Sequence, residues 1–188
     1  MKSIDTLLDR ITMYRLVLYV LIALLGVATL LAFFHLLNFS PLSLVLSSVF
    51  LLVICWAMNT IFAFVLKIPA NLESAFITAL ILALMLDPAR SVSDLQLSGW
   101  VAILAMSSKY LLAIRKKHLF NPAAIAVVIT AFAMNGTASW WIGTANMLPA
   151  VLLGGWVITR KLRQEEMVFL FCAAALVAIC LLSFVQGR

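Results

Sequence analysis

The chain alternates between long apolar runs and short polar breaks. Seven apolar runs cover residues 16–37, 42–66, 74–86, 97–114, 121–134, 145–159 and 167–185. A helix needs about 20 apolar residues to cross the hydrocarbon core of a bilayer, and spanning segments must satisfy their backbone hydrogen bonds internally. The pattern therefore predicts an all-α, polytopic membrane helix bundle with about six to seven spans.

Two of the runs, 74–86 and 121–134, are short for a complete crossing. At a rise of 1.5 Å per residue, about 13 residues cover roughly 20 Å of a core that is about 30 Å thick. We therefore expect broken or re-entrant helices in these two segments.

The composition agrees with a membrane protein. Hydrophobic residues make up 65% of the 188 residues and charged residues 11%, whereas soluble domains have about 45–50% and about 25%. We expect a single transmembrane domain over 1–188, with a short cytoplasmic segment at 1–14. The first run is longer than the roughly 7–15 apolar residues of a signal-peptide core and no small-residue cleavage site follows it, which predicts a retained span.

Basic residues concentrate on one side of the predicted bundle. If all seven runs cross and the N-terminus is cytoplasmic, ten of the thirteen basic residues are cytoplasmic: Lys2, Arg10, Arg15, Lys67, Arg115, Lys116, Lys117, Arg160, Lys161 and Arg163. This distribution follows the positive-inside rule and predicts a multi-pass protein of the cell membrane, in a prokaryotic inner membrane. The net charge of +6 thus reports orientation, so we expect the lipid bilayer and not nucleic acid as a partner.

The placement of possible ligands disfavours several cofactors. His35 and His118 are the two histidines, and they fall at opposite faces of the membrane, roughly 30 Å apart, so they cannot ligate one haem. Asp, Glu, Cys and His do not cluster at ligand spacing, which predicts no metal site. Cys55, Cys172 and Cys180 lie inside apolar runs, which predicts neither a disulfide framework nor a redox Cys pair.

The most informative stretch is a basic loop that leads into Asn121 and Pro122. Asparagine is a good N-cap, and proline is favoured at the first helical position. A helix starting here would direct its free N–H groups and positive dipole end to the cytoplasmic boundary, where they could receive a carbonyl or an anion. An ordinary helix start is the alternative interpretation.

Lys109 lies six residues before the basic loop, inside the fourth run. Its ammonium group could extend along its own stem to the cytoplasmic interface. Alternatively, it is a buried cation that faces the bundle interior, with Glu73 as a candidate counter-charge.

Other polar and aromatic positions have structural interpretations. Ser74 and Thr78 are four residues apart and share one helix face, where they could line a polar site or bond to the carbonyls of their own helix. Asn59 and Asn146 are candidates for hydrogen bonds between helices. The tryptophans at the predicted outer side are expected to anchor the chain at the interface, and they are Trp100, Trp140 and Trp141.

Two blocks of sequence resemble a known family, the membrane subunits of ion-translocating electron-transport complexes. These are the D subunit of Rnf complexes and the B subunit of the sodium-pumping NADH:quinone reductase. The first block, Ser74-Ala-Phe-Ile-Thr78 with the apolar run to Pro88, is similar to a Ser-Ala-x-x-Thr span of the family. The second is Lys109 followed by Phe120-Asn121-Pro122-Ala, which is similar to the family's Lys plus Phe-Asn-Pro-Ala signature.

The resemblance implies a fold like that of urea transporters, built on inverted repeats, and a bound flavin. Carried over by position, Phe120 and Asn121 are implied flavin contacts, Pro122 completes their motif, and His118 stands where the family has another Asn. Lys109, Ser74 and Thr78 are further candidate flavin-site residues. The family's covalent flavin motif is not reproduced, because the nearest segment, 142–145, reads Ile-Gly-Thr-Ala. We therefore expect riboflavin or FMN bound non-covalently.

The chain has about half of the family's usual length, so a second copy could complete the inverted-repeat architecture. The seven glycines are scattered and form no phosphate-binding loop, so electrons would have to enter from a flavin and NAD(P)H reductase domain or subunit. The sequence favours a membrane electron-transfer module with a flavin near the cytoplasmic end of the 121–134 helix. A small-solute transporter or channel of urea-transporter-like fold is the alternative, and a membrane anchor for a soluble enzyme is a third.

Overall fold

The computed structural model describes residues 11–114, 117–118, 120–134 and 139–185. These residues contain a short 3-10 helix (Trp141–Gly143) and seven α-helices, numbered here in chain order: α1 (Met13–Phe33), α2 (Pro41–Leu66), α3 (Leu72–Met85), α4 (Val92–Leu111), α5 (Pro122–Met134), α6 (Leu148–Leu162) and α7 (Glu165–Val185). Each predicted run corresponds to one helix, so the all-α class is confirmed. Most of the predicted N-terminal segment, residues 1–10, lies outside the described residues.

By length and composition, three helices can cross a membrane within the described part of the chain. They are Met13–Phe33, Pro41–Leu66 and Glu165–Phe184. This is fewer than the six to seven spans that the runs predict. The segments expected to be short are indeed short apolar helices, since α3 has 14 residues and α5 has 13.

Polar side chains define several helix starts. The Asn71 side-chain oxygen accepts a hydrogen bond of 3.0 Å from the backbone N–H of Ser74 and caps α3. Ser91 and Asp94 form a capping box at the start of α4. Asp94 precedes the apolar part of α4, and hydrogen bonds from the backbone N–H of Arg90 and the side chain of Ser91 lower its pKa.

Hydrogen bonds between loops show that α1 to α6 alternate in direction. The Arg90 side chain donates to the Asn38 carbonyl at 2.9 Å, and the Asn146 side chain donates to the Leu36 carbonyl at 2.6 Å. The loops after α1, α3 and α5 therefore meet at one end of the bundle. At the other end, Arg15 Nε lies 2.9 Å from a carboxylate oxygen of Glu73.

This second end carries the start of α1 and the loops after α2, α4 and α6. We call it the basic end, because most of the described basic residues lie there. The loop after α4 contains a short antiparallel hairpin of strands β1 (Ala113–Ile114) and β2 (Lys117–His118). The described basic residues of this end are Arg15, Lys67, Lys109, Lys117, Arg160, Lys161 and Arg163, whereas the opposite loops contain Arg90.

The main buried cluster lies among α2, α3, α4 and α5. Its helices meet through small side chains, since Cys55, Ala79, Ala105 and Ala126 are all fully buried. The helix α3 is the most enclosed, with eight buried residues in its 14. A second cluster joins α1 to the start of α2, the end of α3 and the segment before α6.

Trp141 corrects one sequence prediction. It is buried, and its indole Nε1 donates to the carbonyl oxygens of Leu86 at 2.9 Å and Ala83 at 3.2 Å. It therefore satisfies carbonyls at the end of α3, where the helix has no next turn to do so, and is not an interfacial anchor. Trp100 and Trp140 are exposed, as the anchor interpretation requires.

The last helix, α7, packs differently from the others. It makes its main contact with α6, and no described side chain along it is buried. Cys172 and Cys180 are exposed free thiols on this helix. An apolar helix with this exposure requires an apolar environment, which a lipid bilayer provides.

Candidate functional site

Asn121 begins α5 as predicted. Its side-chain oxygen accepts a hydrogen bond of 3.0 Å from the backbone N–H of Ala123, and its backbone carbonyl accepts from Ile125 at 3.1 Å. Pro122 is the first residue of the helix. Because the oxygen of the Asn121 amide is used for the cap, its Nδ2 group is the donor that it can present to a ligand.

Phe120 and His118 precede Asn121 at the basic end. Phe120 is 60% exposed, so its ring is accessible at the basic end. The backbone of His118 lies in strand β2, but its side chain lies outside the described residues. The structure therefore places Phe120 beside the helix start and leaves the role of His118 a prediction.

Lys109 lies in the last turn of α4 and is only 6% exposed. The snorkelling interpretation is therefore wrong for this lysine, and the buried interpretation is correct. Its proposed counter-charge is engaged elsewhere, because Glu73 forms its ion pair with Arg15. The Lys109 ammonium group lies within electrostatic range of the Cys55 thiol on α2.

Asn59 continues this polar contact between α2 and α4. The Tyr110 hydroxyl donates to the side-chain oxygen of Asn59 at 2.7 Å, and the Tyr110 ring stacks on Phe62 with 5.2 Å between centroids. Asn59 is completely buried, and its Nδ2 has no hydrogen-bond partner among the described residues. An unsatisfied donor at such a depth is uncommon and marks a place where an acceptor would be stabilised.

We call Cys55, Asn59, Lys109 and Tyr110 the buried polar cluster. The sequence predicted Asn59 as an interhelical amide, and its bond to Tyr110 confirms this. Asn146 bonds to the Leu36 carbonyl, but this bond joins two loops, so the prediction of a hydrogen bond between helices is wrong for Asn146. The sequence reasoning missed Tyr110 and Cys55, although Tyr110 adjoins Lys109 and Cys55 lies one helical turn from Asn59.

Ser74 and Thr78 lie in α3 at the same end of the bundle. Thr78 is buried, and its hydroxyl donates to the Ser74 carbonyl at 2.9 Å. The sequence left two roles for this pair, lining a polar site or bonding to a carbonyl of their own helix, and the structure shows the second. Ser74 is half-buried and follows the Asn71 cap.

The fold brings these residues to one end because α2 and α4 finish there while α3 and α5 begin there. Cys55, Ala75, Met106 and Ala123 belong to one buried cluster, so the four helices contact one another near this end. The helices that meet here carry the ammonium group of Lys109, the amides of Asn59 and Asn121, and the phenol of Tyr110. This set of donors suits a ligand that is rich in carbonyl oxygens or that gains negative charge.

Within the described residues, no three His, Cys, Asp or Glu side chains approach closely enough to hold a metal ion. No family model, curated protein or solved structure matches this chain. The resemblance to the Rnf and sodium-pumping reductase subunits therefore remains a hypothesis that the two sequence blocks carry.

Proposed function

We propose that this chain is a membrane electron-transfer module that holds a flavin, riboflavin or FMN, non-covalently at its basic end. The observation that carries the proposal is the burial of Lys109 at the end of the bundle where Phe120 and Asn121 are presented. Ionisable residues enclosed within membrane helices are rare and usually serve a function. A buried ammonium group here would favour a ligand that becomes more negative on reduction.

The proposal includes six to seven membrane spans with the basic end in the cytoplasm. The short length of α3 is compatible with a crossing, because the loops before and after this helix lie at opposite ends of the bundle. The chain from α5 reaches the far end of α3, where the Trp140 N–H donates to the Met85 carbonyl at 3.1 Å. Basic residues at the other end then satisfy the positive-inside rule for a prokaryotic inner membrane.

Each site residue has a distinct role in this proposal. The Asn121 Nδ2 group would donate to a flavin carbonyl, and the Phe120 ring would cover one face of the flavin. Pro122 fixes the start of α5 so that the Asn121 amide is held in place. Ser74 and His118 are further candidate contacts, while Thr78 supports the backbone of α3 through its bond to Ser74.

A bound flavin supplies the capacity to accept and release electrons, and the protein positions it and sets its potential. The chain's own contribution is the positive charge of Lys109 and the exclusion of water by the apolar residues around it. Electrons would come from a flavin and NAD(P)H reductase domain or subunit and pass to an acceptor in or across the membrane. A second copy of the chain could complete the inverted-repeat arrangement of the resembling family.

Transport of a small solute is the rival function. A solute path needs polar groups along the depth of the membrane. The buried residues of α3 beyond Thr78 are Ala79, Leu80, Leu82, Ala83, Leu84 and Met85, all of them apolar. The apolar character of this part of α3 supports electron transfer over permeation.

The test uses two asparagines that cap helices at the same end. Asn121→Asp keeps a cap acceptor but removes the amide donor, and Asn71→Asp makes the same change at the start of α3. The chain is purified in detergent, supplied with riboflavin or FMN, and its absorbance is read before and after acid precipitation. We expect acid-releasable flavin in the parent and in Asn71→Asp, with a loss of about tenfold in affinity in Asn121→Asp.

A second variant tests the role of the buried charge. Lys109→Met should lower the reduction potential of the bound flavin, because a positive charge that favours the reduced state is removed. Flavin that remains in the acid pellet would instead mean a covalent link. A folded parent that takes up neither flavin would contradict the proposal and favour transport or anchoring, and full occupancy in Asn121→Asp would contradict the site.

A further inference from the structure

An apolar groove runs between α1 and α6 and is separate from the buried polar cluster. It has a volume of about 290 Å³ and is lined by eight apolar residues, among them Val20, Ala23, Leu153 and Val157. The helices approach closely at Gly154, where an added Cβ would lie 2.7 Å from Cγ1 of Val20. The groove is thus an apolar surface on two helices of the proposed membrane bundle.

The α6 face that lines the groove continues into basic residues. Arg160 and Lys161 follow Val157 by three and four residues, so they lie on the same face one turn nearer to the basic end. Both are half-buried, and the Arg160 guanidinium lies 5.3 Å from the centroid of the Trp156 ring. An arginine over an indole is typical of a side chain held at the boundary between apolar and polar surroundings.

Other charged residues lie near Arg160 and Lys161. Arg163 follows on the same turn, and Glu165 and Glu166 begin α7, where they are exposed. The two carboxylates belong to the next helix and extend the polar boundary, whereas Arg160 and Lys161 are in register with the groove.

We propose that this groove binds a phospholipid with an anionic headgroup, with an acyl chain between α1 and α6 and the phosphate at Arg160 and Lys161. Charge complementarity selects this occupant, because basic pockets between membrane helices on the cytoplasmic side bind anionic headgroups. The inference rests on the proposed membrane orientation but not on the flavin. A second copy of the chain is the competing occupant of the same groove.

The experiment measures lipid retained by the full chain after purification in detergent. The protein is incubated with phosphatidylglycerol or phosphatidylcholine of identical acyl chains and examined by native mass spectrometry. Each basic side chain near an anionic lipid contributes about fivefold to binding. We therefore expect Arg160→Gln with Lys161→Gln to weaken phosphatidylglycerol binding by roughly 25-fold, with no comparable effect on phosphatidylcholine.

Two further variants separate the headgroup from the groove. Arg163→Gln removes a basic residue of the same turn that is out of register with the groove, and it should retain the lipid. Ala23→Phe places a ring in the groove and should reduce retention of phosphatidylglycerol while the charges remain. Circular dichroism and gel filtration check that each variant keeps the parent's helix content and size.

Three outcomes would overturn the proposal. Equal retention of the two lipids by the parent would mean that no anionic headgroup is selected. Equal losses in Arg163→Gln and in the Arg160/Lys161 double variant would mean that general surface charge is responsible. A dimer that Ala23→Phe disrupts would mean that a second copy covers the groove. Failure of flavin binding alone would leave this lipid result unaffected.

Discussion

Tyr110→Phe removes the hydroxyl that bonds to Asn59 in the buried polar cluster, and little else. The hydroxyl of Tyr110 lies 2.7 Å from the Asn59 side-chain oxygen. The aromatic ring, which stacks on Phe62 at an interplanar angle of 17°, is kept by phenylalanine. The variant therefore isolates the hydroxyl from the packing of the ring.

The expected loss of stability follows from the burial of Asn59. Its side chain is 0% exposed, and its Nδ2 already has no hydrogen-bond partner among the described residues. An unsatisfied buried group costs about 1–3 kcal/mol, whereas hydrogen bonds between membrane helices average about 0.6 kcal/mol with a maximum near 1.7. We expect Tyr110→Phe to lower the free energy of unfolding by about 1–2 kcal/mol.

The measurement is reversible unfolding in mixed detergent micelles, followed by helix content. Replacing both partners, in Asn59→Leu with Tyr110→Phe, should restore much of the loss, because an apolar pair leaves no unsatisfied group. Tyr19→Phe is the matched control, since Tyr19 is 55% exposed and should change stability by less than about 0.5 kcal/mol. The reasoning would be refuted if Tyr110→Phe left the free energy of unfolding unchanged. It would also be refuted if the double variant lost the sum of the stabilities lost in the two single variants.

Three further predictions concern other parts of the bundle. Trp141→Phe should reduce the free energy of unfolding by about 1–2 kcal/mol through lost bonds to two carbonyls, whereas Trp140→Phe should not, by the same unfolding assay. Gly154→Leu should cost about 1–3 kcal/mol by overpacking, whereas Gly155→Ala, with nothing within 4 Å of the added Cβ, should be neutral or stabilising. Hydrogen bonds lower the pKa of Asp94 in the folded state. The ionised carboxylate therefore stabilises the fold fully above its unfolded pKa of about 3.9, and this stabilisation is lost as the pH falls through the lower folded pKa. Thermal unfolding between pH 3 and 6 should therefore show a smaller acid dependence for Asp94→Asn.

The helices could be predicted from the sequence because length and hydropathy are local properties. The start of α5 could be predicted as well, since an Asn-Pro pair fixes a cap and a first turn without help from distant residues. Both features agree with the structure: the seven runs are helices, and Asn121 caps α5 with Pro122 in the first position.

The direction in which side chains face could not be predicted in the same way. A soluble helix shows a polar and an apolar face, but a helix such as α2 is apolar around its circumference, so its pattern does not distinguish the interior from the lipid side. For this reason the burial of Lys109 stayed open between two interpretations, and Trp141 was assigned to the interface. Both were decided by which neighbouring helix each residue meets.

The flavin and lipid proposals use the same basic end for different purposes. Lys109 lies inside the bundle at the end of α4, where its charge can act on a ligand near Asn121 without contacting lipid. Arg160 and Lys161 lie beside the groove on α6, where they can contact a headgroup without entering the buried polar cluster. The groove and the cluster share no described lining residue, so Asn121→Asp should leave lipid retention unchanged and the Arg160/Lys161 double variant should leave flavin occupancy unchanged. A loss of both ligands in either variant would mean instead that the bundle opens at this end, and neither site could then be assigned from that variant alone.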